Sequence, residues 1–174
     1  NVSARVLLEQ IGRVIAENDK ALIANVNAHA MNIAYGDKWF RRFLNDADLV
    51  FCDGSGVLLA ARILGEAVAE RITYADWMWE LAEYAEAHSQ SLFLLGASKG
   101  IAEQAASQMK SRHPNLAIAG VHHGYFDKTY DSTDNTKVIQ KINTAKPNIL
   151  IVGFGMPLQE RWLMENWDRI DANV

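Results

Sequence analysis

Short apolar runs that end in polar or glycine-containing turns recur along this chain, and segments with helical spacing separate them. Several of these runs are continuously apolar rather than alternating, which is typical of strands buried on both faces of a parallel sheet. Strands that alternate with helices indicate an α/β fold, with a mostly parallel sheet covered by helices on both faces. The predicted strands lie at 21–24, 48–52, 91–95, 116–121 and 148–152.

Apolar residues at three- and four-residue spacing predict the helices between these strands. Ser3 has the side chain of an N-cap, and Pro157 suits the first position of a final helix. The polar stretch 127–135 is predicted to be a loop. The other helical segments lie at 3–17, 28–35, 38–44, 57–64, 75–88, 101–112 and 136–144.

The turns that follow the predicted strands carry the polar residues of interest. In a doubly wound sheet such turns share one edge, where open α/β sheets bind their ligands. We therefore expect a single Rossmann-like domain with one cleft. An acid, several amides, backbone N–H donors that glycines leave accessible, and two histidines would line this cleft. The turns lie at 25–27, 53–56, 96–100, 122–125 and 153–156.

Asp53 is the acid of this cleft, because the apolar run 49–52 ends on it and Gly54 follows. A carboxylate at the mouth of an apolar cleft can have a raised pKa and can act as a general base. Gly54 would let the backbone and a ligand approach closely. The alternative is that Asp53 only caps the next helix.

Length and composition are those of an ordinary globular protein. The 174 residues suit one domain with a sizeable core. The net charge of −4 gives no reason to expect a nucleic-acid partner. A single cysteine, Cys52, excludes a disulfide framework and is compatible with a reducing compartment. No apolar run approaches the roughly 20 residues of a membrane span.

The turn at 96–100 resembles the glycine-rich turn of short-chain dehydrogenases, but the match is incomplete. Ala102 stands where a third glycine is expected, and no tyrosine is followed four residues later by lysine. The turn still predicts an anion-binding nest of backbone N–H groups at a helix N-terminus, with Gly96 and Ala97 as ligand-binding candidates. A plain strand-to-helix turn is the alternative.

Arg71 is a candidate clamp for a phosphate or a carboxylate. A solvated ion pair with the neighbouring Glu70 is the alternative. His122 and His123 do not predict a metal site, because adjacent residues on a strand point to opposite faces. No cysteine or carboxylate lies at ligand spacing from them.

The aromatic residues divide into two groups. Tyr125 and Phe126 could supply a stacking wall for a ligand, or they could pack in the core. The tryptophans lie on predicted helices, which favours core packing or contact within a homo-oligomer over ligand stacking. They are Trp39, Trp77, Trp79, Trp162 and Trp167.

The stretch 153–162 is the second segment that indicates a ligand-binding turn. Its glycines, including Gly155, let a turn that carries Phe154 pass close to a ligand. Gln159 and Glu160 lie in the first turn of the following helix, where side chains can face the cleft. The alternative is that Glu160 caps the helix and Gln159 is solvated.

Taken together, these motifs resemble the WecG/TagA/CpsF family of bacterial glycosyltransferases, glycosyltransferase family 26. They follow the family's order and cover nearly the whole chain from about Ala21. The combination of Asp-Gly-x-Gly with Gly-x-Pro-x-Gln-Glu is specific. The matching pieces are Asn-Val-Asn-Ala at 25–28, Ala-Asp-Leu at 47–49, Asp-Gly-Ser-Gly-Val at 53–57, Glu-Arg-Ile-Thr at 70–73, Phe-Leu-Leu-Gly-Ala at 93–97, Gly-Tyr-Phe at 124–126 and Val-Gly-Phe-Gly-Met-Pro-Leu-Gln-Glu at 152–160.

The resemblance implies an enzyme of bacterial cell-surface polysaccharide synthesis. It would transfer a hexosyl residue, often of the N-acetylmannosamine type, from a UDP-sugar to a polyprenyl-diphosphate-linked saccharide. It implies inversion at the anomeric carbon, no metal and no cofactor. It also implies that Asp53 is the base and that Asn25, Asn27, Arg71 and Gln159 are cleft residues.

Two departures from the family pattern accompany the resemblance. Tyr74 stands where the family more commonly has glycine, which would alter the donor or acceptor pocket. The family also continues with a basic carboxyl-terminal segment thought to touch the membrane, whereas this chain ends at Val174. We therefore expect residues 1–174 to be one glycosyltransferase domain truncated at its carboxyl terminus. The full-length protein would be cytoplasmic and peripheral at the inner face of the cell membrane.

Two other functions stay open on the sequence alone. One is a dinucleotide-dependent oxidoreductase, against which the absent Tyr-x-x-x-Lys pair and glycine fingerprint count. The other is a non-catalytic module that binds a nucleotide-sugar without turnover.

Overall fold

A computed structural model describes residues 2–174. The chain divides into two compact units, the first ending at Leu81 and the second beginning at Ala82. Each unit contains a parallel sheet with helices around it, which confirms the predicted α/β, Rossmann-like class. Among the described residues, no helix is both long and apolar enough to cross a bilayer.

The first unit is built on a two-stranded parallel sheet in which Ile23 pairs with Leu49 and Val26 with Cys52. The first helix begins after Ser3, whose side chain accepts a hydrogen bond from the amide of Val6 at 3.4 Å, as an N-cap does. The elements are α1 (Ala4–Ala16), β1 (Ile23–Val26), α2 (Ala28–Gly36), α3 (Lys38–Asp46), β2 (Leu49–Cys52), α4 (Ser55–Leu64) and α5 (Tyr74–Ala87), which continues into the second unit.

The second unit is built on a three-stranded parallel sheet in the order β4-β3-β5. Leu92 at its centre pairs with Ile118 on one side and Ile149 on the other. The core beneath this sheet includes Phe93, Ile142 and Trp162. The elements are β3 (Ser91–Gly96), α6 (Ile101–Arg112), β4 (Ala117–His122), α7 (Thr133–Ala145), β5 (Ile149–Gly153), α8 (Leu158–Asn166) and a 3₁₀ turn at Trp167–Arg169.

The beginning of α7 differs most from its prediction. The polar stretch that predicts a loop ends earlier, because Ser132 is the N-cap and its side chain accepts from the amide of Asn135 at 3.1 Å. The Asn135 side chain is fully buried and accepts a 2.7 Å hydrogen bond from the indole N–H of Trp162. A polar residue that is satisfied inside the core carries no sequence pattern that distinguishes it from a loop residue.

Candidate functional site

Asp53 lies at the carboxyl end of β2, as predicted. Its amide donates to the carbonyl of Val26 at 2.8 Å and so extends the β1–β2 pairing by one residue. Its half-buried carboxylate accepts a hydrogen bond on Oδ2 from Nδ2 of Asn25 at 3.1 Å. Asn25 lies inside β1 rather than after it, since the strand runs two residues further than predicted. The structure therefore brings these two candidate residues into contact.

The alternative role for Asp53, capping the next helix, is wrong. Gly54 is the N-cap of α4, and no side chain makes a capping hydrogen bond there. Gly54 has φ +122°, a backbone conformation that L side chains rarely adopt, so this position requires glycine. Asn27, another candidate, caps α2: its Oδ1 accepts from the amide of Ala30 at 3.0 Å.

Arg71 lies against the Asp53 turn. Its Nη1 donates to Oγ of Ser55 at 3.2 Å, and the amide of Ile72 donates to the carbonyl of Cys52 at 2.8 Å. Glu70 instead accepts a hydrogen bond from the amide of Ala4 at 2.8 Å. The Arg71 guanidinium, which is exposed, is thus held at the start of α4 by a neutral hydroxyl, where it could meet an anion.

The charges of this turn act on Cys52. Burial raises the pKa of the Cys52 thiol, and the negative charge of Asp53 raises it further, whereas the positive charge of Arg71 lowers it. A thiol with a raised pKa is a poor nucleophile at neutral pH, which agrees with a structural role for Cys52.

Tyr74 is a neighbour of Asp53 that the predicted site does not include. Burial, and then the negative charge of Asp53, raise the pKa of its phenol to about 12. Its ring packs 6.0 Å from Phe51 and 6.2 Å from Trp77, measured between ring centroids. Its sequence signal was the departure from the glycine that the resemblance leads one to expect at this position.

A cavity of about 650 Å³ lies in the second unit, where β3, β4 and β5 end. It contains predicted site residues together with three charged ones. The lining residues are Ala97, Gly124, Tyr125, Phe126, Asp127, Lys128, Asp134, Gly153, Phe154 and Leu158.

Gly96 and Ala97 hold the strand ends of this unit together. A Cβ on Gly96 would lie 2.4 Å from the carbonyl oxygen of Gly153, so only glycine fits there. The amide of Ala97 donates to that same carbonyl at 3.1 Å, and the carbonyl of Ala97 accepts from the amide of Gly124 at 2.8 Å. Because the Ala97 amide is engaged internally, the predicted anion nest lacks that donor.

The two aromatic residues of the 124–128 turn, Tyr125 and Phe126, lie in different environments. Tyr125 is 75% exposed and lines the cavity, so it can stack against a ligand. The Phe126 ring packs edge-on against Phe154 at 5.7 Å and Trp162 at 6.3 Å. The core-packing interpretation thus holds for Phe126, whereas ligand stacking by Tyr125 stays a prediction.

Lys128 is a cavity residue that sequence reasoning missed. Its Nζ donates to the carbonyls of Gly124 and Phe126. The same nitrogen lies 4.3 Å from the ring centroid of Phe126 and 4.4 Å from that of Phe154. Burial lowers the pKa of its ammonium group. The lysine therefore fixes the turn that forms one wall of the cavity.

Gln159 fixes the opposite turn. Its Oε1 accepts from the amide of Gly155 at 3.1 Å, and its Nε2 donates to Oε1 of Glu160 at 2.9 Å. Gly155 has φ +86°, which explains why glycine is required there. The alternative in which Gln159 is merely solvated is wrong, because the side chain organises the turn before α8.

The two histidines lie side by side rather than on opposite faces, with ring centroids 4.5 Å apart. The reason is that β4 ends at His122, so the alternation of the strand does not extend to His123. Nδ1 of His122 donates to the carbonyl of His123 at 2.8 Å, and Nδ1 of His123 accepts from the amide of Tyr125 at 3.2 Å. In residues 2–174, no three His, Cys, Asp or Glu side chains converge as a metal site would require.

The family model described as "Glycosyl transferase WecG/TagA/CpsF family" matches residues 1–174. Relatives from the Staphylococcus aureus strains NCTC 8325 / PS 47, COL and MSSA476 are each 30% identical to it over 176 aligned residues. These alignments cover 100% of this chain and 67% of each relative. Each relative is named N-acetylglucosaminyldiphosphoundecaprenol N-acetyl-beta-D-mannosaminyltransferase.

Proposed function

Because the chain belongs to the WecG/TagA/CpsF family of glycosyl transferases, we propose that it transfers a hexosyl residue of the N-acetylmannosamine type. The donor is a UDP-sugar, and the acceptor is a polyprenyl-diphosphate-linked saccharide, as the name of the Staphylococcus aureus relatives suggests for the acceptor. The family model spans both units, so we treat residues 1–174 as one transferase domain.

The observation that carries the proposal is the hydrogen-bonded pair of Asp53 and Asn25 at the strand ends of the first unit. Asn25 orients the carboxylate through Oδ2. Asp53 then removes the proton from the acceptor hydroxyl while the hydroxyl oxygen attacks the anomeric carbon of the donor. The bond from that carbon to the diphosphate oxygen breaks in the same step, so the configuration inverts and UDP leaves.

Arg71 is the cation that we assign to the anionic part of a substrate. A guanidinium binds phosphate oxygens through two parallel hydrogen bonds, and its present partner, the Ser55 hydroxyl, is a neutral group that a phosphate can replace. Diphosphate departure requires stabilisation of developing negative charge, which a fixed cation supplies.

For the cavity of the second unit, taken by itself, we propose the binding of a nucleoside. Tyr125 offers an exposed ring for a base, and Asp127 and Asp134 offer carboxylates that can accept hydrogen bonds from ribose hydroxyls. Its volume of about 650 Å³ lies within the range of roughly 300–1,000 Å³ that is usual for small-molecule sites.

We further propose that the protein works at the inner face of the cell membrane, because a polyprenyl-linked acceptor is anchored in a bilayer. Flotation with liposomes that contain such an acceptor tests this point. A protein that stays at the bottom of the gradient would argue against membrane association.

The proposed base is tested with Asp53→Asn. We expect kcat to fall by about 10²-fold or more, because the lost step is proton transfer. The Kd for UDP should stay within about twofold of the parent value, because that variant keeps the size of the side chain. Turnover is measured as UDP release, and UDP binding by calorimetry.

The matched control is Asp46→Asn, which removes the same charge from an exposed position near the end of α3. Its turnover should equal that of the parent. Asp53→Asn activity within a few-fold of the parent would remove Asp53 from the mechanism. A parent protein that binds UDP-sugar but transfers nothing would instead be a non-catalytic binding module.

A further inference from the structure

An apolar cavity of about 240 Å³ lies in the first unit, at the strand end that carries the proposed base. Most of its lining residues are apolar, among them Val26, Val50, Val57 and Val68. Its volume is below the roughly 300–1,000 Å³ that is usual for a complete small-molecule site. The cavity therefore suits an apolar part of a larger ligand.

The polar groups of the lining are engaged within the protein. They belong to Cys52 and Glu70. The Cys52 thiol donates to the carbonyl of Gly54 at 3.8 Å. Oε2 of Glu70 accepts a 2.8 Å hydrogen bond from the amide of Ala4, the first residue of α1, where a helix N-terminus favours a negative charge. The cavity thus offers mainly its apolar side chains to a ligand.

The cavity and the proposed base lie on opposite faces of one strand end. Successive side chains of a strand point to opposite faces, so Val50 and Cys52 share the cavity face of β2 and Asp53 points to the other. The connection to α5 passes this end, since the amide of Ile72 donates to the carbonyl of Cys52 at 2.8 Å. This connection brings Arg71 to the same place. Base, cation and apolar cavity are therefore grouped around the end of β2.

The proposed acceptor has three parts with matching chemistry. It consists of a saccharide, a diphosphate and a polyprenyl chain, in that order. A hydroxyl of the saccharide must meet Asp53, and the diphosphate is an anion that a nearby guanidinium attracts. The polyprenyl chain is a hydrocarbon, which gains free energy when it leaves water for an apolar surface. The order of these parts therefore agrees with a path from the carboxylate around the strand end into the cavity.

The surface of α4 next to the cavity is apolar as well. Val57, in the first turn of α4, lines the cavity. Leu64 follows seven residues later and so lies on the same helical face. Its side chain is 76% exposed. A polyprenyl chain longer than the cavity could therefore continue along this face of α4.

We propose that this cavity binds the isoprenoid units nearest the diphosphate of the lipid-linked acceptor, and so holds the acceptor while its hydroxyl meets Asp53. The inference rests on the proposed function for the identity of the ligand. Binding of an isoprenoid diphosphate is measurable without turnover, so the cavity and the proposed function can fail separately.

Geranyl diphosphate and inorganic diphosphate are the probes, because they differ in the isoprenoid chain. We expect the parent protein to bind geranyl diphosphate more tightly by about tenfold or more, since each buried methylene group strengthens binding by about fourfold. Calorimetry measures both Kd values. The heat capacity change on binding geranyl diphosphate should be negative, as the burial of apolar surface requires.

Ala67→Phe fills the cavity from an exposed position in its lining. It should raise the Kd for geranyl diphosphate by about fivefold or more and leave that for inorganic diphosphate unchanged. Ala69→Phe, the same change at an exposed position outside the lining, is the matched control and should bind both probes as the parent does. Val68→Thr adds a hydroxyl at nearly constant shape and should weaken geranyl diphosphate binding too, so the test does not depend on one variant.

Two results would overturn the proposal: equal Kd values for the two probes in the parent, or Ala67→Phe and Val68→Thr variants that both bind geranyl diphosphate as Ala69→Phe does. Equal Kd values together with flotation on phosphatidylglycerol vesicles would assign the apolar lining to a bilayer contact instead. Chain-dependent binding by a protein that transfers no sugar would support the cavity and reject the proposed function. Sugar transfer with chain-independent binding would do the reverse.

Discussion

The two units of this protein cover their apolar helices to very different degrees. In the second unit, α7 and α8 bury Ile142 and Trp162 almost completely against the sheet. In the first unit, α4 has no buried residue, and Ile63 is 77% exposed. Yet α4 is the more apolar helix, since Ser55 and Arg62 are its only polar side chains. An apolar pattern therefore does not by itself tell how much surface a helix buries.

This contrast shows two ways of holding functional residues in place. The cavity of the second unit is formed at the edge of a dense core, and its wall residues Phe126 and Phe154 pack against that core. Asp53 lies at the end of a two-stranded sheet. The hydrogen bond from Asn25 and the hydrogen bonds between the two strands position its carboxylate. We therefore expect core substitutions to affect the two units unequally.

The strongest test of this contrast is one substitution made twice. Ile142→Ala in α7 should lower the free energy of unfolding by about 2–5 kcal/mol, because it opens a cavity in a packed core. Ile63→Ala in α4 should change it by no more than about 0.5 kcal/mol, because that side chain is mostly in water already. Urea titrations followed by circular dichroism measure both.

The pair controls for residue type and for helical context, so a difference reports burial alone. If Ile63→Ala costs as much as Ile142→Ala, α4 is covered in solution and the contrast between the units disappears. A similar slope of unfolding free energy against urea for both variants would show that the same transition is compared.

The sequence predicted the elements and the acid better than it predicted contacts between residues that are distant in the chain. Periodicity depends on neighbours in the chain, so all element bounds except the beginning of α7 agree within two residues of the prediction. Asn135 and Trp162 are 27 residues apart in the sequence, and no local pattern predicts their hydrogen bond. Tyr74 stands out in the sequence only because it replaces an expected glycine. The polar stretch around Lys128 does not indicate the two aromatic rings that this lysine contacts.

A smaller effect is expected where one polar side chain stabilises the cavity wall of the second unit. Lys128→Met keeps the aliphatic packing between Phe126 and Phe154 but removes the donor to Gly124. A cation over an aromatic ring contributes about 0.5–2 kcal/mol, so we expect the Kd for UDP to rise about tenfold. Calorimetric titration of UDP measures this change.

Lys110→Met, at an exposed position in α6, is the matched control and should bind UDP as the parent does. Unchanged UDP affinity in Lys128→Met would mean that the turn keeps its shape without the ammonium group. It would also show that the dense core of the second unit holds the cavity wall without this single contact, which would strengthen the contrast drawn above.

The smallest expected effect concerns pH and the half-buried His122 at the end of β4. Burial lowers the pKa of its imidazole, and the charges of His123 and Lys141 lower it too, against the opposing effects of its hydrogen bond to the His123 carbonyl and of the Glu103 carboxylate. The folded state thus binds a proton at His122 less readily than the unfolded state does. Stability should therefore fall as pH drops through about 6.5, where an unperturbed histidine titrates.

This loss should level off once the pH is low enough for folded His122 to take up its own proton, since both states are then protonated. Thermal unfolding between pH 7.5 and 5.5 should show a smaller decrease in Tm for His122→Asn than for the parent, because asparagine does not titrate. His29→Asn, on the exposed first turn of α2 in the other unit, should leave the parent's pH dependence intact. Equal slopes for parent and His122→Asn would assign the pH dependence to groups other than His122.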